Sequence, residues 1–129
     1  VLAITRAGII PGGIIAERLG VPKVLVASVD FYSDEDYDLD LPVFMQFPVD
    51  SLLRGEHVLV VDDLWDKGRE VTSVKERVEQ AGGTATTFVM HYKPHRSLFA
   101  DLSPDFYTAT TKDWIIYPWE LNRTGYGVG

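Results

Sequence analysis

The chain has 129 residues, of which 46% are hydrophobic, and it carries 12 Lys and Arg against 19 Asp and Glu. This length and composition predict a single globular domain over residues 1–129 and exclude a disordered or low-complexity chain. The lack of cysteine excludes disulfides and thiolate sites, and no apolar run approaches the roughly 20 residues of a membrane span. Because the chain starts at Val1, we expect upstream residues to be missing. The absence of cysteine and of a targeting signal favours a cytoplasmic location.

Most of the net charge of −7 comes from one acidic segment, residues 30–40. Its six carboxylates, with no base among them, are Asp30, Asp34, Glu35, Asp36, Asp38 and Asp40. The other 13 acidic residues nearly balance the 12 basic ones. A broad basic face for nucleic acid is therefore not expected. Residues 30–42 lack helical or strand periodicity and are predicted to form a mobile loop.

Apolar, strand-like runs recur along the chain. A weak edge strand or hairpin is predicted at 43–50, where Pro48 interrupts the run. The other predicted strands are at 1–5, 21–29, 57–63, 84–92, 105–111 and 114–119. The run at 57–63 is the strongest of them, and its unbroken apolar start indicates burial on both faces of a sheet.

Two segments have helical periodicity. The first runs from Pro11, which suits the first turn of a helix, to Gly20, a natural stop. Its large apolar residues Ile14, Ile15 and Leu19 share one face. The apolar stripe of the second helix consists of Val71, Val74, Val78 and Ala81. Buried strands that alternate with such helices predict an α/β fold, with a mostly parallel twisted sheet flanked by helices.

Two predicted strands end in polar residues that a core does not need. Arg6 and Ala7 follow the first strand, and Asp62 and Asp63 end the strongest one, with Asp66 shortly after them. Ligands of open α/β sheets bind at such strand ends. Adjacent buried carboxylates call for a cation or hydroxyl groups, and the helix start just beyond favours a phosphate. These residues predict a phosphosugar site. The simpler alternative is a strand-end solubility cap followed by a helix cap at Asp66.

The string VLVVDDLWDKGR at 58–69 resembles the signature of the type I phosphoribosyltransferases. That signature is four apolar residues, two acids, two further residues and Asp, commonly followed by Thr-Gly-x-Thr. Residues 4–20, ITRAGIIPGGIIAERLG, are similar to the family's first strand, pyrophosphate loop and first core helix. Residues 92–120 are similar to the base-binding end of the bacterial and archaeal purine branch. The resemblance implies the type I phosphoribosyltransferase fold, with a small hood over the base formed partly by residues 93–129.

The resemblance also implies roles for individual residues around the phosphosugar. Asp62 and Asp63 match the family's pair on the ribose hydroxyls, often in contact with Mg²⁺, and Asp66 matches the acid that handles a proton at the purine ring. The loop that would wrap the 5′-phosphate contains Asp66, Lys67, Gly68, Arg69, Glu70 and Val71. Pyrophosphate would bind at Arg6 and Ala7, in a loop that often contains a non-proline cis peptide in the family.

At the base end, the resemblance implies four further contacts. Lys93 would donate to the exocyclic oxygen of the purine, and Trp114 would stack on its ring. The backbone carbonyl of Ile115 would accept from the base edge. Glu120 matches an acid that completes the base or second-metal environment, so that Asp62, Asp63 and Glu120 form the expected metal set. Trp119 is interpreted as a packing residue.

The phosphate loop departs from the family pattern at two positions. Lys67 and Glu70 stand where the family commonly has hydroxyl residues, and Thr72 is a candidate substitute hydroxyl one helical step later. The backbone amides of the loop can still bind a phosphate. His91 and His95 have no metal-ligand spacing, and we interpret His91 as structural or exposed.

The resemblance implies an enzyme that transfers the 5-phosphoribosyl group from phosphoribosyl pyrophosphate to a 6-oxopurine (xanthine, guanine or hypoxanthine). It would be Mg²⁺-dependent, act in purine salvage, form a homodimer or homotetramer, and have no nucleic-acid or membrane partner. The alternative is a non-catalytic sensor of phosphoribosyl pyrophosphate or a nucleotide on the same fold, which the altered phosphate loop favours. A response-regulator receiver is not favoured, because no predicted strand has the phosphoacceptor pattern.

Overall fold

The computed structural model describes residues 1–34 and 39–120. Its elements in chain order are β1 (Leu2–Ile4), α1 (Ile9–Leu19), β2 (Leu25–Asp34), β3 (Leu39–Gln46), a 3₁₀ turn (Asp50–Leu52), β4 (His57–Trp65), α2 (Arg69–Gln80), β5 (Thr84–Tyr92) and β6 (Phe106–Thr110). The six strands form one sheet in the order β3-β2-β1-β4-β5-β6. Every neighbouring pair is parallel except β2 and β3. The predicted α/β fold with a mostly parallel sheet is therefore confirmed.

The main core lies between the sheet and α2. Val71, Val74 and Val78 of α2 are almost fully buried, as the predicted stripe requires. They belong to one cluster with side chains from one face of the sheet: Leu2, Ile4, Ala27, Val29, Val58, Val60 and Val89. Because successive strand residues point to opposite faces, the remaining face of β1 and β4 is available to α1.

Helix α1 packs on that second face through small residues, contrary to the predicted apolar face. A side chain added at Gly12 would come within 3.0 Å of the Ala3 Cβ, so the helix lies close to the strand beneath it. Ala16 is buried, whereas Ile14 is 56% exposed and Leu19 is 62% exposed. The prediction that Ile14, Ile15 and Leu19 form the packing face was therefore wrong. The helix lies so close to the strand that only its small residues fit at the contact, and the side chains of Ile14 and Leu19 are exposed to solvent.

Residues 30–34 and 39–42 lie in strands and not in the predicted loop. Strands β2 and β3 pair as a long antiparallel hairpin, with Phe31 opposite Pro42 and Asp30 opposite Val43. Phe31 packs against the core, whereas Asp30 is exposed. Charged side chains are common on an exposed edge hairpin because they discourage further strand pairing. The tip, residues 35–38, lies outside the described residues.

Two other strand predictions need correction. The run at 114–119 has no strand structure and follows the edge strand β6 as an irregular segment. Strand β4 extends two residues beyond the predicted end at Asp63, as far as Trp65.

Among the described residues, no helix has both the length and the apolar character needed to cross a membrane. Residues 121–129, which include the end of the predicted hood segment 93–129, lie outside the described residues.

We expect Val74→Ala to lower the free energy of unfolding by about 2 kcal/mol, because it removes two methyl groups from a fully buried position. Ile14→Ala should change it by less than about 0.5 kcal/mol, since surface substitutions have small effects. Urea unfolding of both variants measures the two values. A loss at Ile14 as large as that at Val74 would mean that α1 packs through its large apolar face after all.

Candidate active site

The candidate site lies where the chain leaves β1 and β4 in opposite directions. These strands are parallel neighbours, with Ala3 beside Val61, but α1 leads to β2 on one side and α2 leads to β5 on the other. Such a switch point opens a crevice at the carboxyl ends of the two strands. One wall is the loop that contains the exposed Arg6 and the half-buried Ala7, with a cis peptide bond between Thr5 and Arg6.

Gly8 lets this loop lie directly on β4. A Cβ at this position would come within 2.4 Å of the Val61 carbonyl oxygen and 2.7 Å of the Ile4 carbonyl oxygen. No side chain fits at such distances. The Gly8 amide instead donates to the Ile4 carbonyl oxygen at 2.8 Å, which keeps the loop against the strand ends.

The opposite wall carries the buried carboxylates. Asp62 is 7% exposed and Asp63 is 9% exposed, and the Asp63 amide donates to Asp62 Oδ1 at 2.8 Å. Burial, and next the charge of Asp63, raise the pKa of Asp62 well above its usual range; Glu70 adds a smaller contribution in the same direction. A cation or hydroxyl donors at this point would relieve the repulsion between the two carboxylates.

The carboxylate pair does not form a closed metal cage. No three His, Cys, Asp or Glu side chains are grouped to hold a metal ion within residues 1–34 and 39–120. Glu120 therefore does not complete a three-residue cluster with Asp62 and Asp63, and its role at a metal stays a prediction. Two carboxylates at the mouth of a crevice are still a suitable donor set for Mg²⁺, which usually completes its coordination shell with water and substrate oxygens.

The phosphate loop ends in a tight turn at Gly68, the residue that precedes α2. Gly68 has a φ of +89°, and a Cβ there would come within 2.3 Å of the Trp65 indole nitrogen. Within the described chain, no side chain caps the start of α2. The first-turn amides of this helix are therefore open to an anion from the crevice.

The residues that replace the family's hydroxyls differ in position. Lys67 is exposed, while Glu70 is half-buried and close enough to affect Asp62. The Arg69 guanidinium lies over the Phe31 ring, 4.6 Å from its centroid, and links the hairpin to the start of α2. That Thr72 substitutes for a missing hydroxyl stays a prediction. The Thr72 hydroxyl donates to the Gly68 carbonyl oxygen at 2.7 Å and so stays within the helix.

Asp66 forms an ion pair with Arg96, a residue that the sequence reasoning missed. The contact joins the phosphate loop to the turn after β5. The Lys93 amide makes a second link, donating to the Trp65 carbonyl oxygen at 2.9 Å. The sequence carries one signal for a role of Arg96 in the site. It follows Lys93 by three residues, just after the end of a predicted strand.

Two further hydrogen bonds hold the same turn against the phosphate loop. The Trp65 indole N–H donates to the Ser97 hydroxyl at 3.1 Å. The Leu98 amide donates to the Lys67 carbonyl oxygen at 3.0 Å. Segment 96–98 therefore supports the loop that lacks the usual hydroxyl residues.

Of the predicted base-binding residues, Lys93 follows the end of β5, and Trp114, Ile115 and Glu120 follow β6. Lys93 is only 5% exposed, so it is not an ordinary surface lysine. Trp114 is 72% exposed, which leaves its ring face available. Ile115 and Glu120 are half-buried.

Tyr117 is a further residue that was not predicted from the sequence. It connects the segment that carries Trp114 and Ile115 to the strand end that carries the carboxylates. Its hydroxyl donates to the Asp63 carbonyl oxygen at 3.1 Å and lies 2.9 Å from His91 Nδ1. Its ring stacks on Trp119 with 5.1 Å between ring centroids, in agreement with the packing role predicted for that tryptophan. Burial, followed by the charges of Asp63, Glu120 and Asp62, raises the pKa of the Tyr117 phenol above its usual range.

These features together define an α/β protein that binds a phosphorylated sugar or nucleotide at a switch point. Family comparison gives the particular family. A model of the phosphoribosyl transferase domain matches residues 1–123, and the chain belongs to this family.

Curated relatives and solved structures agree with this assignment. The chain is 32% identical over 124 residues to a xanthine-guanine phosphoribosyltransferase of Idiomarina loihiensis, covering 95% of this chain and 71% of that protein. It is 31% identical over 121 residues to a protein of the same name from Gluconobacter oxydans, covering 93% and 67%. A purine phosphoribosyltransferase structure from Pyrococcus horikoshii is 30% identical with a TM-score of 0.79, covering 93% and 76%. A Neisseria gonorrhoeae protein with bound ppGpp is 25% identical with a TM-score of 0.75, covering 94% and 73%.

We expect Gly68→Ala to destabilise the protein by about 2 kcal/mol or more, because an alanine at a positive φ is strained and its Cβ would collide with Trp65. Gly13→Ala is the matched control. It adds the same methyl group in a helix where nothing lies within 4 Å of the new Cβ, and it should keep or raise stability. Thermal unfolding of both variants checks this; an unchanged melting temperature for Gly68→Ala would contradict the loop geometry.

Proposed function

We propose that this protein is a purine phosphoribosyltransferase that transfers the 5-phosphoribosyl group of phosphoribosyl pyrophosphate to a 6-oxopurine. The observation that carries the proposal is the meeting of four parts at one crevice. Four features follow the carboxyl ends of neighbouring strands: the buried carboxylates, the uncapped helix start, the loop anchored at Gly8 and the buried Lys93. Together they suit a ribose, a 5′-phosphate, a pyrophosphate and a purine oxygen.

The phosphosugar would lie across β1 and β4. Asp62 and Asp63 would hold the ribose hydroxyls together with Mg²⁺, and the amides of residues 66–71 would bind the 5′-phosphate. Arg6 and Ala7 would bind pyrophosphate, with Arg6 supplying a positive charge. Mg²⁺, when bound, would neutralise charge on the leaving pyrophosphate.

The base would be held between the β5 end and the C-terminal segment, as part of a hood formed by residues beyond 93. The buried Lys93 would donate to the 6-oxo group, Trp114 would stack on the ring, and the Ile115 carbonyl oxygen would accept from the base edge. Glu120 would complete this environment. The choice among xanthine, guanine and hypoxanthine depends on the groups around the 2-position of the purine.

In the reaction, the bond from ribose C1′ to the pyrophosphate oxygen breaks and a bond from C1′ to a purine ring nitrogen forms. Asp66 would take the proton that the purine releases, and its negative charge would stabilise the positive charge that develops on the ribose. Arg96 forms an ion pair with Asp66 and so helps to hold its carboxylate in place. The remaining contribution of the protein is to bring the two substrates together in the reactive orientation.

The alternative, a non-catalytic sensor of phosphoribosyl pyrophosphate or a nucleotide, has less support. The curated relatives described above carry the names of enzymes. A sensor of phosphoribosyl pyrophosphate also has no need for the base-binding residues Lys93 and Trp114.

A homodimer or homotetramer is the expected assembly. The outward face of α1 and the edge strand β3 expose large apolar side chains: Ile9, Ile10, Ile14, Leu19, Leu41, Val43 and Met45. Monomeric proteins rarely expose such extended apolar surfaces. Light scattering after gel filtration gives the mass in solution.

The purified protein, supplied with Mg²⁺ and phosphoribosyl pyrophosphate, should convert at least one of xanthine, guanine and hypoxanthine to its nucleotide. Asp66→Asn should lower kcat by about 10²–10⁴-fold, the usual effect of losing a general acid–base group. Asp101→Asn changes an exposed loop aspartate in the same way and serves as the control. A spectrophotometric assay of nucleotide formation measures all three proteins.

Absence of turnover with every base, together with clear binding of phosphoribosyl pyrophosphate, would reject the enzyme and favour the sensor. Equal activity of Asp66→Asn and Asp101→Asn would reject the role of Asp66. Omitting Mg²⁺ or adding a chelator should abolish turnover, and full activity without the metal would reject its involvement.

A further inference from the structure

The segment that would bind the base is attached to the protein in an unusual way. After β6, the Thr111 amide donates to the Tyr92 carbonyl oxygen at 3.0 Å. Beyond it, within the described residues, the backbone hydrogen bonds of 112–120 are local: the Asp113 amide donates to the Thr111 hydroxyl at 3.1 Å, and the Glu120 amide donates to the Tyr117 carbonyl oxygen at 2.9 Å. This stretch therefore has no ladder of strand hydrogen bonds to fix its position.

In place of strand hydrogen bonds, the buried side chain of Tyr117 attaches this segment to the sheet. It is 4% exposed although its neighbours Ile116 and Pro118 are exposed. Its hydroxyl lies 54 residues away in sequence from its acceptor, the Asp63 carbonyl oxygen. The contact therefore joins the strand end that carries the carboxylates directly to the segment that carries Trp114 and Ile115.

The geometry fixes the direction of both hydrogen bonds. A carbonyl oxygen can only accept, so the single phenol proton goes to Asp63. The His91 Nδ1 atom lies 2.9 Å from the same phenol oxygen, and with the phenol proton directed at Asp63 the matching tautomer of His91 is the one that donates from Nδ1. His91 is on β5 and half-buried, so Tyr117 is held by two neighbouring strands, β4 and β5.

We propose that Tyr117 is a positioning residue that sets the distance between the base-binding segment and the ribose carboxylates. This inference rests on the proposed function, because it gives a role in that site to a residue that touches neither substrate. The stacked Trp119 ring supports the phenol from one side. Through these contacts, the segment that carries Trp114 and Ile115 is placed relative to Asp63.

The test is Tyr117→Phe, which removes one oxygen and keeps the ring stacked on Trp119. We expect the KM for the purine to rise about 5- to 10-fold, the equivalent of one net hydrogen bond, while the KM for phosphoribosyl pyrophosphate changes less than twofold. Tyr107→Phe, on the exposed surface of β6, is the matched control and should change neither constant. Equal changes in both KM values, or none, would overturn the proposal.

His91→Ala provides an independent check, because this residue is expected to act through Tyr117. On its own it should raise the purine KM in the same direction. In the Tyr117→Phe background it should add less than twofold. Full additivity of the two effects would mean that the residues act separately and would overturn the proposed link.

Hydrogen exchange tests the inference without relying on turnover. Amides of residues 112–120 should exchange faster in Tyr117→Phe than in the wild type, whereas those of α2 should not change. Unchanged exchange in 112–120 would overturn the positioning role, even if the enzyme is active. A wild-type protein that fails to turn over any base would reject the proposed function, while faster exchange in the variant would still establish the attachment at Asp63.

Discussion

The buried pair of carboxylates at the end of β4 is the constraint on which the rest of the site depends. Asp62 and Asp63 are adjacent in sequence, almost fully buried and mutually repulsive. Such a pair persists at the centre of a sheet only where the fold arranges polar or cationic groups around it. In this structure the Asp63 amide donates to the Asp62 carboxylate, while the Gly8 loop, the uncapped start of α2 and the Tyr117 hydroxyl contact the backbone or begin a helix close by in the chain.

The phosphate loop shows how a departure from the family pattern is accommodated. With Lys67 and Glu70 in place of hydroxyl residues, the loop has no side-chain oxygens that could donate to a phosphate at those positions. Its shape instead depends on tertiary contacts: the indole of Trp65 closes one side, and segment 96–98 holds the other. The rigidity that places the backbone amides therefore comes from a turn about 30 residues later in the chain.

The parts of the fold that the sequence predicted correctly are those whose pattern is local. Strand β4, the stripe of α2 and strand β5 follow from apolar runs and helical periodicity alone. The hairpin of β2 and β3 was predicted only in part: an edge strand was expected at 43–50, but the acidic residues before it suggested a solvated loop, although Phe31 packs inward. The packing face of α1 was predicted wrongly, because close contact with β1 leaves room for Gly12 but not for a larger residue such as Ile14.

By itself, the sequence determined the class of fold, the central strand with its two carboxylates, and the positions of the phosphate loop and Lys93. These features are encoded by neighbouring residues, so a short stretch of chain carries each of them. Only the tertiary structure decided which distant residues meet: Arg96 with Asp66, and Tyr117 with Asp63 and His91. Such contacts depend on how the strands are ordered and where the irregular segments cross them, and no local pattern of side chains specifies that arrangement.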